Sequence, residues 1–273
     1  MYPPKTKPRR RVGLLLRTLA AAAAAAIGAA AFAAPASADV TLLKYVALGD
    51  SYASGVGAGD YLGDDDCYRS ANAYPRQAAY ELGEKLWFEA CSGATVEDVV
   101  ANQLGHLNYT TEHVTIGVGG NDAGFSTVLG ACAGTDTALC LGAVDNARTV
   151  ITDVLPQRLD DLYTQVRDKA DTATIVVVGN PRLFSGTTCA DSLAITPEEQ
   201  AALNDTADLL AETTAAVAAD HGFGFADPRA AFDGHGVCSA DPWILGYVGT
   251  LESFHPNAAG QDGYTDVVLP HLT

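Results

Sequence analysis

Short apolar or β-branched runs alternate along the chain with longer Ala- and Leu-rich segments of helical spacing. This alternation is the pattern of a βαβ array built around a parallel sheet. It predicts strands at Tyr45–Leu48, Leu86–Ala90, His113–Val118, Thr174–Val178 and Gly224–Ala226, and helices at Ala73–Leu82, Val96–Leu104, Ala147–Ala170 and Pro197–His221. Thr196 stands three residues ahead of Glu199, a capping-box pattern that marks the start of the last of these helices. Pro156 is expected to break or kink the third, because it cannot donate the backbone hydrogen bond that a helix interior needs. A further helical segment follows Pro256. Ile175-Val176-Val177-Val178 is apolar without interruption, as suits a strand buried on both faces. Five strands with crossover helices predict an α/β fold, a three-layer α/β/α sandwich.

Three of the predicted strands run straight into small or polar residues: Gly49-Asp50-Ser51, Cys91-Ser92-Gly93 and Gly119-Gly120-Asn121-Asp122. The carboxyl ends of parallel strands share one edge of the sheet, and open α/β folds bind ligands there. Ser51, Gly93 and Asn121 are therefore expected to converge, although they are distant in sequence.

A serine hydroxyl attacks a carbonyl usefully only when a neighbouring base takes its proton, and histidine has the right intrinsic pKa for that work. Of the six histidines, His255 stands apart: it lies in Glu252-Ser253-Phe254-His255-Pro256-Asn257, a loop just ahead of the final helical segment. His106, His113, His221, His235 and His271 lack such a setting. The oxyanion of a tetrahedral intermediate needs fixed donors, and the Ser51 and Gly93 N–H groups with the Asn121 amide could supply them. Asp50 and Asp122 are expected to hold loop geometry by accepting backbone N–H bonds. Tyr52, Phe125, Trp243 and Phe254 are candidates to line an acyl pocket, with a place in the core the equal alternative for Trp243.

The N-terminus changes the picture of where this chemistry takes place. Lys5, Lys7, Arg9, Arg10, Arg11 and Arg17 precede an Ala-rich apolar run from Leu19 to Ala34, and Ala36-Ser37-Ala38 offers a small-residue cleavage site before Asp39. Residues 1–38 thus read as a secretory signal peptide and not as a membrane anchor, and residues 39–273 as a single domain long enough to bury its own core, expected to be a monomer. The Arg9-Arg10-Arg11 cluster leaves a twin-arginine or a general export route open. Removing the signal takes six of the 16 basic residues and none of the 33 acids, so the formal charge moves from −17 to −23. Such a surface repels nucleic acid and anionic membranes.

Cys67, Cys91, Cys132, Cys140, Cys189 and Cys238 all lie beyond the signal. An even count in an exported chain favours disulfides, and no Cys-x-x-Cys pair is present to hold zinc, so no metal site is expected. Six cysteines allow about 15 pairings, and sequence alone does not choose among them. Sequential pairing is the expectation, because each bond would then clip a loop at one end of the sheet. Asp64-Asp65-Asp66 beside Cys67 lacks the spaced oxygen ligands of a calcium loop and reads as a solvated turn.

Taken together, Gly49-Asp50-Ser51, Gly93, Gly119-x-Asn121-Asp122 and His255 resemble the four blocks of the SGNH, or GDSL-type, hydrolase superfamily. The resemblance runs from about residue 44 to the end of the chain and is closest to secreted actinobacterial lipases and esterases, which also carry three sequentially paired bridges. It implies a flavodoxin-like sheet, Ser51 as nucleophile, His255 as general base, and Ser51, Gly93 and Asn121 as the oxyanion hole. It also implies no cofactor and an ester substrate, a small molecule or a lipid. In much of the superfamily an aspartate three residues before the histidine orients the ring, whereas this chain has Glu252 there. Either Glu252 reaches the imidazole or a main-chain carbonyl near Ser253 takes that part, and the carbonyl is the expectation. A carbohydrate O-deacetylase and an inactive binding module on the same scaffold are the alternatives.

Overall fold

The computed structural model describes residues 44–63 and 66–273; the export signal expected over residues 1–38 lies outside them, as do Asp64 and Asp65. Five strands, β1 (Lys44–Gly49), β2 (Lys85–Phe88), β3 (Thr111–Gly117), β4 (Thr174–Val178) and β5 (Gly224–Ala226), pair in parallel in the order β2-β1-β3-β4-β5. This is the flavodoxin-like order, in which the chain leaves β1 toward one edge and returns to β3 on its other side. A crevice therefore opens outside the carboxyl ends of β1 and β3.

Helices cover both faces: α1 (Ser51–Ser54), α2 (Tyr74–Leu82), α3 (Val96–Asn102), α4 (Phe125–Cys132), α5 (Thr137–Asp153), α6 (Leu155–Lys169), α7 (Pro197–Asp220) and α8 (Ala258–Leu272). Side chains alternate across a strand, and along β1 the two faces feed separate cores. Tyr45 and Ala47 join Tyr74 and Ala78 of α2 with Tyr264 and Val268 of α8. Val46 and Leu48 join Val99 of α3 with Leu159, Leu162 and Val166 of α6. All of these are buried, which accounts for the uninterrupted apolar strands and gives three layers.

The helix expected over Ala147–Ala170 is in fact two. Pro156 has no N–H to offer the Thr152 carbonyl, so α5 stops at Asp153 and Pro156 sits in the first turn of α6, where a donor is not needed. Helix α5 begins well before the expected start, at Thr137, with the Asp136 carboxylate accepting the Leu139 N–H as its cap. Helix α4 is absent from the predicted set. Smaller shifts affect the ends: β2 stops at Phe88 because Glu89 and Ala90 both turn their N–H groups onto the Ala47 carbonyl, and β3 closes at Gly117.

Three disulfides tie loops to this frame. Cys67–Cys91 joins the segment after α1 to the loop after β2, Cys132–Cys140 links α4 to α5, and Cys189–Cys238 links the loop after β4 to that after β5.

Candidate active site

At the tip of β1 the backbone turns sharply into α1, and the sequence supplies the means. Gly49 takes φ +142°, and a Cβ there would run into the Gly117 carbonyl of β3, so only glycine fits. Gln103 fixes the turn from below, its side chain accepting the Gly49 N–H at 2.8 Å and donating to the Gly49 carbonyl at 2.9 Å. The buried Asp50 carboxylate then caps α1 by accepting the Tyr52 N–H at 3.0 Å. Ser51 is left as the first residue of a one-turn helix, buried, at the crevice between β1 and β3.

The His255 loop closes over it. His255 Nε2 lies 2.7 Å from Ser51 Oγ, and His255 Nδ1 lies 2.9 Å from the Ser253 carbonyl. A carbonyl can only accept, so Nδ1 carries the proton and the Nε2 lone pair faces the serine hydroxyl. Glu252 does not reach the ring: its carboxylate accepts the Tyr61 hydroxyl at 2.5 Å. Burial drives the His255 pKa down to about 4, outweighing the upward pull of the Ser253 carbonyl and of Glu252, so the imidazole is neutral near pH 7. Tyr52 and Phe125 flank the ring at centroid distances of 5.2 and 5.9 Å.

The other loops bring donors. Asn121, after β3, donates one amide hydrogen to the Ala94 carbonyl at 3.0 Å, which couples it to the Gly93 turn and leaves the second hydrogen free. Among the described residues neither the Ser51 nor the Gly93 N–H has a protein acceptor. Gly93 sits at φ +79° on an exposed turn. Asp122, its carboxylate fully buried, accepts the Val96 N–H at 3.0 Å and Arg158 at 2.9 Å, and so anchors the β3 loop to α3 and α6. Asp50 and Asp122 thus both serve loop geometry. Burial, with the nearby Asp122 charge, pushes the Asp50 carboxyl up to about 7.

Ser51, Tyr52 and Asn121 border a cleft of about 690 Å³, counting its open mouth. Its walls are apolar: Phe125, Val128 and Leu129 of α4, Ile151 of α5, Leu203 and Leu210 of α7. Two expected lining residues lie elsewhere. Trp243 stacks on His235 at 3.9 Å, and Phe254 packs on Phe184 while its carbonyl accepts the Tyr52 hydroxyl. Tyr52 and Phe125 do line the cleft, and Val128 and Leu129 of α4 supply lining that sequence reasoning missed. Of the remaining histidines, His106, His113 and His221 are held by the carboxylates of Glu89, Glu84 and Asp160, and His235 Nδ1 lies 2.8 Å from the main-chain carbonyl of Asp241. No group of three or more His, Cys, Asp or Glu side chains among the described residues could hold a metal ion.

The model of the GDSL-like Lipase/Acylhydrolase family matches residues 47–262. Lipase 1 of Streptomyces coelicolor is 43% identical over 261 residues, covering 93% of this chain and 95% of that protein. The crystal structure of phospholipase A1 from Streptomyces albidoflavus NA297 superposes with a TM-score of 0.78 at 44% identity, over 85% of this chain and 98% of that one. That of an extracellular lipase from Streptomyces rimosus does so with a TM-score of 0.78 at 42% identity, over 84% and 98%. With its flavodoxin-like sheet and its serine and histidine facing each other at the switch point, the chain belongs to the GDSL-like lipase/acylhydrolase family.

Proposed function

We propose that this chain is a secreted serine ester hydrolase for lipid acyl esters, its mature form being residues 39–273 released from the signal at 1–38. Ser51 attacks the ester carbonyl as His255 Nε2 takes its proton. The Ser51 and Gly93 N–H groups and the Asn121 amide hold the resulting oxyanion. His255 then protonates the leaving alcohol and activates the water that frees Ser51. The Ser253 carbonyl keeps the imidazole in the required tautomer throughout.

The observation that carries this reading is the Ser51–His255–Ser253 relay opening onto an apolar cleft. A cleft of that lining accepts an acyl chain and offers a sugar little to bond, and both tryptophans are engaged elsewhere, Trp87 with His106 and Trp243 with His235. The acyl reading therefore outweighs a carbohydrate deacetylase. The names of the relatives, lipase and phospholipase A1, point the same way, as does the extracellular lipase from Streptomyces rimosus.

The test is a series of p-nitrophenyl esters of increasing chain length, with a phosphatidylcholine, on wild type and Ser51→Ala. Hydrolysis of medium and longer acyl esters by wild type, lost in the variant, is expected. Turnover of acetylated sugars alone, or turnover unchanged in Ser51→Ala, would overturn the reading.

A further inference from the structure

The loop that carries His255 has no regular secondary structure of its own, yet it must hold the imidazole to within a fraction of an ångström of Ser51. Part of that hold is visible. Leu245 pairs with the loop through its N–H on the His255 carbonyl, and the Tyr52 hydroxyl donates to the Phe254 carbonyl at 2.8 Å. Phe254 itself sits at φ +63°, a conformation costly for a non-glycine residue, so the loop needs external restraint at this point.

A second hold comes from the segment after α1. Gly57 lies directly against the loop: a Cβ there would come within 3.1 Å of His255 Cβ and 2.9 Å of the Pro256 carbonyl. The Tyr61 hydroxyl accepts the Gly57 N–H at 3.0 Å and donates to Glu252 Oε1 at 2.5 Å. The Glu252 carbonyl in turn accepts the His255 N–H at 3.2 Å. One phenol hydroxyl therefore joins the residue that touches His255 from the nucleophile side to the residue that holds His255 on its own loop.

We propose that Tyr61 and Glu252 are positioning residues for the reaction: Tyr61 clamps the His255 loop onto the segment that follows the nucleophile, and holds the Glu252 carboxylate where its charge supports the imidazolium formed when Ser51 gives up its proton. The inference rests on the reading of Ser51 and His255 as nucleophile and base. The Ser253 carbonyl orients the ring but carries no charge, so the imidazolium lacks the anionic partner that a carboxylate three residues earlier would supply by direct contact. The ring lies against Ser51 and Tyr52 from α1 and Phe125 from α4, none of which carries a carboxylate, whereas Glu252 on its own loop does. Glu252 also favours the protonated ring through space.

Two substitutions separate clamp from charge. Tyr61→Phe removes the clamp and keeps the carboxylate; Glu252→Gln keeps an acceptor for Tyr61 and removes the charge. Measured with a p-nitrophenyl ester from about pH 3.5 to about pH 8, Tyr61→Phe is expected to lower kcat about tenfold with KM within about twofold of wild type, the mark of an interaction made in the transition state. Glu252→Gln is expected to lower kcat to a similar degree and to move the acid limb of kcat/KM to lower pH. A merely structural contact would change Tm and leave both kcat and the acid limb in place, and that result in both variants overturns the proposal. Ser51→Ala run alongside distinguishes the two levels: if it retains turnover, the nucleophile assignment fails, and if it is inactive while Tyr61→Phe and Glu252→Gln match wild type, only the positioning role fails.

Discussion

The imidazole of His255 is oriented by the main-chain carbonyl of Ser253, 2.9 Å from Nδ1, and not by the carboxylate of Glu252. A neutral orienting group leaves burial of the imidazole as the dominant influence on the ring, and sets it apart from a histidine fixed by a charged partner.

The first consequence is tolerance of acid. With the His255 pKa pulled down to about 4 by burial, the imidazole of the free enzyme stays unprotonated through mildly acidic conditions, as the proposed base must. We expect kcat/KM to stay level from neutral pH to about pH 5 and to fall toward about pH 4. A limb centred near the ordinary histidine value would contradict the burial argument. The same shift has a stability sign: the folded value lies below the unfolded one, so its contribution is complete above about pH 6.5 and is lost as pH falls toward about 4.

Asp50 acts in the opposite direction. Its carboxyl is raised from 3.8 to about 7, so the stability tied to its protonated form is present below the unfolded value and is lost as pH rises through about 7. By that linkage the cost at alkaline pH is at most about 4 kcal/mol. Asp50→Asn keeps an acceptor for the Tyr52 N–H, and its Tm relative to wild type should improve between about pH 5 and about pH 8. Parallel Tm curves across that range would show that the Asp50 carboxyl does not titrate there.

Asn121 should behave as a donor to the transition state. Its amide is fixed by the Ala94 carbonyl, so Asn121→Ala removes a preorganised contact and should lower kcat by roughly 100- to 1000-fold with little change in KM. Loss expressed in KM alone would place Asn121 in ground-state binding.

Chain-length preference should respond to the α7 wall. Ala207 borders the cleft and is only half-buried, so a larger side chain there enters the cleft without displacing the core. Ala207→Phe is expected to lower kcat/KM for long acyl esters by about tenfold or more relative to acetate. Equal effects on short and long esters would mean that the acyl chain lies elsewhere.

Much of this arrangement was legible in the sequence because it is carried by short, local signals. The tips of β1 and β3 are announced by Gly49-Asp50-Ser51 and Gly119-Gly120-Asn121-Asp122 directly after apolar runs, and parallel pairing of β1 with β3 brings them together. The alternation of apolar runs and helices likewise specified the sheet. What escaped depends on packing. Phe125–Cys132 contains Gly130 and the Ser126-Thr127 pair, weak helix formers, and it folds as α4 because Val128 and Leu129 are buried and Cys132 is bonded to Cys140. The part of the cleft wall built by Val128 and Leu129 was hidden for that reason, whereas Phe125 at the start of the same helix was among the candidates. Trp243 and Phe254 were expected at the acyl pocket on chemistry alone, whereas their ring partners, His235 and Phe184, are set by loop contacts without periodicity. The Tyr61–Glu252 contact spans 191 positions and leaves no local trace.

The central claim is that the Ser51 hydroxyl, activated by His255, becomes the acylated group. It is tested most directly by treating the protein with a p-nitrophenyl phosphonate and mapping the modified residue by peptide mass spectrometry. A single stoichiometric adduct on Ser51 is expected, formed in step with loss of esterase activity and much more slowly in His255→Ala. Complete inactivation with the adduct on another residue, or equal labelling rates in wild type and His255→Ala, would contradict it.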